Sequence, residues 1–165
     1  VDAARAMANR DDVVFVINGG GSERQRLQDL AADLDNVRFI DFQPPERLSE
    51  TLAAGDIHVI ALREGLARSS VPSKLYSILA AGRPVLASID PGTEVERVLL
   101  THECGVTCRP EDSADFVETL RELLDNPDST AAMGDRGRRF VEGWVSPAGV
   151  ATAYVELFDE LRSSL

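Results

Sequence analysis

The sequence predicts an α/β fold in which helices cover both faces of a doubly wound parallel sheet. Short apolar runs typical of buried strands alternate along the chain with helical patterns. The connections between successive strands are too long for hairpins, so they are predicted to be right-handed crossovers between parallel strands. One such domain fits the composition, because 165 residues with 44% hydrophobic content can bury a core.

The predicted strands are rich in β-branched or aromatic residues, and most are followed by turn residues. They fall at residues 13–17, 37–42, 57–62, 85–89 and 105–109. Helices are predicted at 2–9, 22–34, 45–54, 72–81 and 93–102, and three more start near residues 113, 128 and 146. Thr93 and Ser113 are the predicted caps. This order predicts a Rossmann-like sheet of about five strands with additional C-terminal helices.

Charge and cysteine content exclude several classes of function. The net charge of -11 is a poor match for a polyanionic partner, so nucleic-acid binding is not expected. Cys104 and Cys108 lie four positions apart in a predicted strand, about 13 Å from each other, and cannot pair locally. With only His58 and His102 besides them, neither a metal site nor a disulfide framework is expected. A reducing, cytoplasmic location is the expectation that follows.

The chain opens at Val1 within an Ala-rich helical stretch, and we expect it to be a fragment. No apolar run approaches the roughly 18 residues that a membrane span needs. The expectation is therefore a single domain over residues 1–165 without a transmembrane segment.

Three consecutive glycines follow the first predicted strand and precede a helix. Gly19, Gly20 and Gly21 leave room for a diphosphate or a sugar to approach backbone N–H groups. The same spacing resembles a dinucleotide-binding fingerprint with Asp41 as the ribose-binding acid, so NAD binding is an alternative. Against it, Arg24 stands where the third fingerprint glycine is expected. The plainer alternative is that the glycines only turn the chain.

A second candidate segment is a positive island in this acidic chain. Residues 63–83 hold Arg63, Arg68, Lys74 and Arg83 against one acid, Glu64. The hydroxyls of Ser69, Ser70 and Ser73 crowd the start of the helix that carries Lys74, the only lysine. The island indicates a site for a compact anion such as a pyrophosphate, although a solvated surface cation is the alternative for Lys74.

The segment SVPSKLYSILAAGRPVLA at residues 70–87 resembles the signature of group 1 glycosyltransferases, in the branch that builds bacterial surface polysaccharides. Four further segments follow the family's order and spacing: NGGGS at 18–22, VRFIDF at 37–42, AGDIH at 54–58 and GVTCRPED at 105–112. The resemblance covers essentially the whole chain. It implies the donor-binding half of a two-domain GT-B enzyme, without the N-terminal acceptor domain.

The resemblance implies roles for individual residues. The donor diphosphate is assigned to Gly19, Gly20, Gly21, Arg68, Ser70, Ser73 and Lys74. The base is assigned to Phe42, Gln43 and Pro44, and the sugar hydroxyls to Glu94 and Glu96, for which helix-start acids are the alternative. No catalytic residue is assigned.

Two features depart from the family pattern. Family members carry a pair of glutamates, and Ser69 and Ser77 stand at those positions. The acidic pair is therefore absent, unless Glu64 substitutes for the first member through a longer loop. Ser77 is therefore the expected ribose contact, with a weaker hydrogen bond than a carboxylate would make. Relatives also clamp the diphosphate with an Arg and a Lys that come before the segment corresponding to Val1. Neither of these two residues is in this chain.

For the intact enzyme, the resemblance implies transfer of a sugar from a UDP- or GDP-sugar to a hydroxyl acceptor with retained configuration, without metal or cofactor. The fragment is expected to bind donor without turnover. Peripheral membrane association of the full protein stays open. A dehydrogenase, a sugar-nucleotide epimerase and a non-catalytic interaction domain are the alternatives.

Overall fold

The computed structural model describes residues 1–66 and 71–163. The strands are β1 (Phe15–Asn18), β2 (Val37–Ile40), β3 (His58–Ala61), β4 (Val85–Ser88) and β5 (Gly105–Cys108). The helices are α1 (Asp2–Ala6), α2 (Arg24–Leu30), α3 (Leu48–Ala53), α4 (Lys74–Ala80), α5 (Glu94–Thr101), α6 (Ser113–Asp125), α7 (Pro127–Phe140) and α8 (Pro147–Ser163). A 3₁₀ turn at Pro45–Arg47 precedes α3, and a π-helical turn at Val141–Val145 joins α7 to α8.

All strand pairs are parallel, which confirms the α/β class. The predicted single sheet is divided, however, because the described strands form a two-stranded sheet, β1-β2, and a three-stranded sheet, β3-β4-β5. Phe15 lies opposite Val37 in the first sheet, and Val85 lies opposite both His58 and Gly105 in the second. Sequence patterns predict strands but not which edges pair, so the division was not foreseen.

Helices cover both faces of the three-stranded sheet. Successive side chains of its central strand β4 point to opposite faces, so they show which helices pack on each. On one side Val85 and Ala87 pack with buried residues of α4 and α5, among them Leu79 and Leu99. On the other side Leu86 packs against α6. Phe15 of β1 contacts this second cluster and also a third cluster formed by α1, β2 and the end of α2.

Several predicted boundaries were wrong by one to a few residues. Asp112, rather than Ser113, caps α6, because its Oδ1 accepts from the backbone N–H groups of Ala114 and Asp115. The predicted cap at Thr93 is confirmed, since its Oγ1 accepts from Glu96 N. Pro72 precedes α4, which begins two residues later at Lys74.

The C-terminal helix α8 has no buried residue among those described. Its large apolar side chains are therefore open to solvent, with Tyr154 and Phe158 57% and 62% exposed. Among the described residues, no helix is both long enough and apolar enough to span a bilayer.

Candidate functional site

The glycine loop after β1 combines a demanding backbone with open space. Gly19 and Gly21 have φ values of 130° and 134°, which residues with a side chain rarely adopt. A Cβ on Gly20 or Gly21 would meet nothing within 4 Å. Two of the three glycines are thus needed for the turn itself, and the space above the loop is free to receive a ligand.

Phe42, two residues beyond the end of β2, lies directly beside this loop. Its ring carbons come within 3.5 Å of an ideal Cβ on Gly19, yet 79% of the residue is exposed. Gln43 donates to the carbonyl of Asp41 and accepts from Arg47 at 3.3 Å, and Pro44 leads into the 3₁₀ turn. The structure therefore brings the predicted base-binding residue Phe42 and the predicted phosphate loop together.

Arg24 links the glycine loop to the loop that follows β2, a role that sequence reasoning missed. Its Nη1 donates to the carbonyls of Gly19 at 2.5 Å and Ile40 at 3.4 Å and lies 2.9 Å from Asp41 Oδ1. Asp41 is thus paired with a cation, whereas the NAD alternative assigned its carboxylate to a ribose. A cation placed at the start of a helix that follows a glycine turn was the only available signal.

Lys74 lies at the start of α4, as predicted, but its ammonium is engaged with protein. Nζ donates to the carbonyl of Val59 at 3.4 Å, and partial desolvation of this largely exposed side chain lowers the pKa of Lys74. Because His58 N and Leu62 N donate toward β4, the intervening Val59 carbonyl points to the free edge of β3. A diphosphate would have to compete with this carbonyl for the ammonium.

The serines near Lys74 are only partly described. Ser73 precedes α4 and is exposed, and Ser77 is partly buried in the second turn of the helix. Arg68 and Ser70, together with Ser69, lie outside the described residues.

Asp90, at the end of β4, holds the loop that leads to those residues. It is 6% exposed, and its Oδ2 accepts from Gly65 N at 2.8 Å. Gly65 has a φ of 84°, so this loop also turns on a glycine. The place of Asp90 directly after the predicted strand at 85–89 is the sequence signal for this role.

The two acids predicted to contact the sugar make local contacts at the start of α5. Glu94 pairs with Arg97 at 2.6 Å, and this hydrogen bond lowers the pKa of Glu94. Glu96 Oε2 accepts from Gly92 N at 2.5 Å. Both contacts favour the helix-start interpretation, and the sugar role stays a prediction.

A cavity of about 540 Å³ lies away from these loops. Its lining includes Asp56 and Arg83, which precede β3 and β4, together with Pro127 and Asp128 of α7. It therefore opens at the amino ends of the strands, whereas ligands in such sheets bind beyond the carboxyl ends. Among the described residues, no group of three or more His, Cys, Asp or Glu side chains could hold a metal ion.

Residues 1–140 match the sequence profile of the family described as glycosyl transferases group 1. The chain belongs to this family. A D-inositol 3-phosphate glycosyltransferase of Streptomyces coelicolor is 31% identical over 93% of the chain, which spans 35% of that protein. A putative colanic acid biosynthesis glycosyl transferase of Escherichia coli is 31% identical over 70% of the chain, which spans 29% of it. The chain thus spans about a third of these relatives.

Solved structures show the same fold. Sucrose-phosphate synthase from Thermosynechococcus elongatus superposes with a TM-score of 0.76 at 21% identity, covering 99% of this chain and 42% of the enzyme. Anabaena HepE, solved in complex with UDP-glucose, gives a TM-score of 0.72 at 17% identity, covering 99% of this chain and 44% of HepE. The predicted Rossmann-like fold of GT-B glycosyltransferases is confirmed.

Proposed function

We propose that this chain is the donor-binding domain of a retaining glycosyltransferase that moves a sugar from a UDP- or GDP-sugar to a hydroxyl acceptor. Membership of the group 1 family supports the reaction class, and the UDP-glucose bound to HepE supports the donor class. In the proposed enzyme a further domain supplies the acceptor site. The isolated chain is then expected to bind donor without turnover.

The observation that carries the proposal is the open glycine loop beside an exposed aromatic ring. Gly20 and Gly21 leave their backbone accessible, while Phe42 offers a ring face next to Gly19. A nucleoside diphosphate needs both elements: backbone N–H donors for its phosphates and an apolar surface for its base. A glycine turn without the Phe42 ring beside it would indicate a phosphate site but not a nucleotide site.

Cations around the loops would stabilise the leaving diphosphate electrostatically, without a metal. Lys74, Arg68 and the hydroxyls of Ser70 and Ser73 are the proposed donors. Lys74 can turn to an anion, because an ammonium has three donors and its contact with Val59 is long, at 3.4 Å. Ser77 is proposed for the ribose, and Glu94 and Glu96 for the sugar.

Calorimetry with UDP, GDP, ADP, UDP-glucose, GDP-mannose and NADH tests the proposal. We expect a nucleoside diphosphate or its sugar to bind and NADH not to bind. Gly20→Ala should weaken that binding at least about fivefold, equivalent to roughly 1 kcal/mol, because a methyl group would occupy the space above the loop.

Gly143→Ala is the matched control, since a Cβ there also meets nothing within 4 Å but lies in the π-helical turn before α8. If Gly20→Ala binds the nucleotide with unchanged affinity, the glycine loop is not part of the binding site. Binding of NADH alone would overturn the donor assignment in favour of a dehydrogenase.

A further inference from the structure

The guanidinium of Arg24 joins the ends of two neighbouring strands. It bonds to the Gly19 carbonyl at the end of β1 and to Ile40 and Asp41 at the end of β2. Only 24% of its side chain is exposed, whereas the Asp41 side chain is 87% exposed. A partly buried cation thus holds an exposed acid in place, and fixes the separation between the two loops.

Phe42 is the residue whose position depends on this link. It directly follows Asp41, and its ring lies 3.5 Å from the place where a Cβ on Gly19 would stand. Asp41 and Gly19, the two residues beside the ring, are both bonded to Arg24. The ring itself is 79% exposed, and little burial holds it. An exposed aromatic ring keeps a defined place only if the backbone beneath it is fixed.

The link also changes the charge beside the glycine loop. Without Arg24, the Asp41 carboxylate would stand unpaired next to the place where a diphosphate is expected, and like charges repel. With Arg24 at 2.9 Å, the pair is neutral as seen by an approaching anion.

We propose that Arg24 is a positioning residue, which holds the Phe42 ring against the glycine loop and neutralises Asp41 so that a nucleoside diphosphate can bind between them. The proposal rests on the proposed function for its ligand. Its geometric part, the placement of Phe42, can be tested without any ligand.

The binding test compares Arg24→Met, Asp41→Asn and the double variant, using calorimetry with UDP and with GDP. Arg24→Met is expected to weaken binding by about three- to tenfold, the range expected for a lost charge contact near a ligand. Adding Asp41→Asn should recover part of that loss, because the unpaired carboxylate is gone. Asp41→Asn alone should not weaken binding, since Arg24 keeps its two carbonyl contacts.

Arg5 supplies a matched control. It also bonds to an aspartate, Asp33, and to a backbone carbonyl, that of Leu30, but these contacts connect α1 to the end of α2 away from the glycine loop. Arg5→Met should alter thermal stability without changing affinity. If Arg24→Met behaves in the same way, Arg24 is a structural contact only and the proposal is wrong.

Nuclear magnetic resonance provides the ligand-free test. The Phe42 ring should shift the Hα resonances of Gly19 upfield, and Phe42→Leu should abolish that shift. Arg24→Met should reduce the Gly19 shift while the signals of the core are retained. If Arg24→Met unfolds the loop, Arg24→Lys, which keeps a hydrogen-bond donor, is the second variant and should show part of the wild-type shift.

An unchanged Gly19 shift in Arg24→Met would overturn the positioning role, whether or not a nucleotide binds. Conversely, a reduced shift in a protein that binds no nucleoside diphosphate would uphold the positioning role and refute the proposed function.

Discussion

His58 is a single residue whose surroundings favour one protonation state. Its Nε2 donates to the carbonyl of Leu52 at 2.8 Å, and the ring lies close to Gly55. Burial lowers the pKa of His58 below its usual 6.5 and outweighs the hydrogen bond to Leu52, which raises it; the charges of Arg83 and Lys74 act in the same direction as burial. The neutral imidazole is therefore part of the folded structure.

This lowered pKa makes stability depend on pH. The unfolded chain binds a proton at His58 near pH 6.5, while the folded chain resists it, so protonation favours unfolding. The contribution is complete above about pH 6.5 and is lost as the pH falls below it. Urea unfolding at pH 7.5 and 5.5 should show a smaller pH dependence in His58→Gln than in the wild type.

His102→Gln is the control for the second histidine, which stacks on Phe140 with ring centroids 3.8 Å apart. The carboxylates are the same in all three proteins. Equal pH dependence in wild type and His58→Gln would show that the neutral ring contributes nothing.

At the scale of elements, α7 is positioned by the glycines on its inner face. A Cβ on Gly134 would stand 2.2 Å from the carbonyl oxygen of Gly82, and one on Gly137 would stand 2.7 Å from Leu79 Cδ2. The helix therefore approaches α4 and the turn before β4 at backbone distance. That turn carries the chain into the central strand of the three-stranded sheet.

Gly134→Ala should destabilise the protein by about 1–3 kcal/mol, because the backbone of residues 82–83 cannot move aside as a flexible side chain would. This cost exceeds the roughly 0.5–1 kcal/mol that alanine gains over glycine within a helix. Urea unfolding measures the difference. Gly143→Ala, where the added methyl meets nothing, is the reference, and a Gly134→Ala variant as stable as the wild type would contradict the close approach.

At the scale of the whole molecule, apolar side chains are divided unevenly between core and surface. Leu99 is 0% exposed in the cluster shared by α4, α5 and the three-stranded sheet. Leu157, on the apolar stripe of α8, is 46% exposed, and Trp144 before that helix is 69% exposed. The stability of this chain should therefore come from the clusters around the sheets rather than from α8.

The same substitution at these two leucines tests that division. Leu99→Ala should lower the free energy of unfolding by about 2–5 kcal/mol, since it removes buried contacts and leaves a cavity. Leu157→Ala should change it by no more than about 0.5 kcal/mol. Denaturant unfolding of both variants measures the contrast, and a large loss in Leu157→Ala would mean that α8 packs on the chain in solution.

The sequence by itself determined the type and order of the elements and the family. Strand and helix signals such as the apolar run before Asn18 and the Thr93 cap act over a few residues, so they can be interpreted locally. The same holds for the glycine loop and the segment at 70–87, because consecutive residues carry both motifs.

Only the tertiary structure decided which of these features meet. The ion pair of Arg24 with Asp41, the placement of the Phe42 ring beside Gly19 and the hydrogen bond of Lys74 to Val59 bring together residues 15 to 23 positions apart. The division into two sheets likewise depends on which strand edges pair. Such contacts follow from how separate elements pack and which backbone groups stay unpaired, and no local pattern records either.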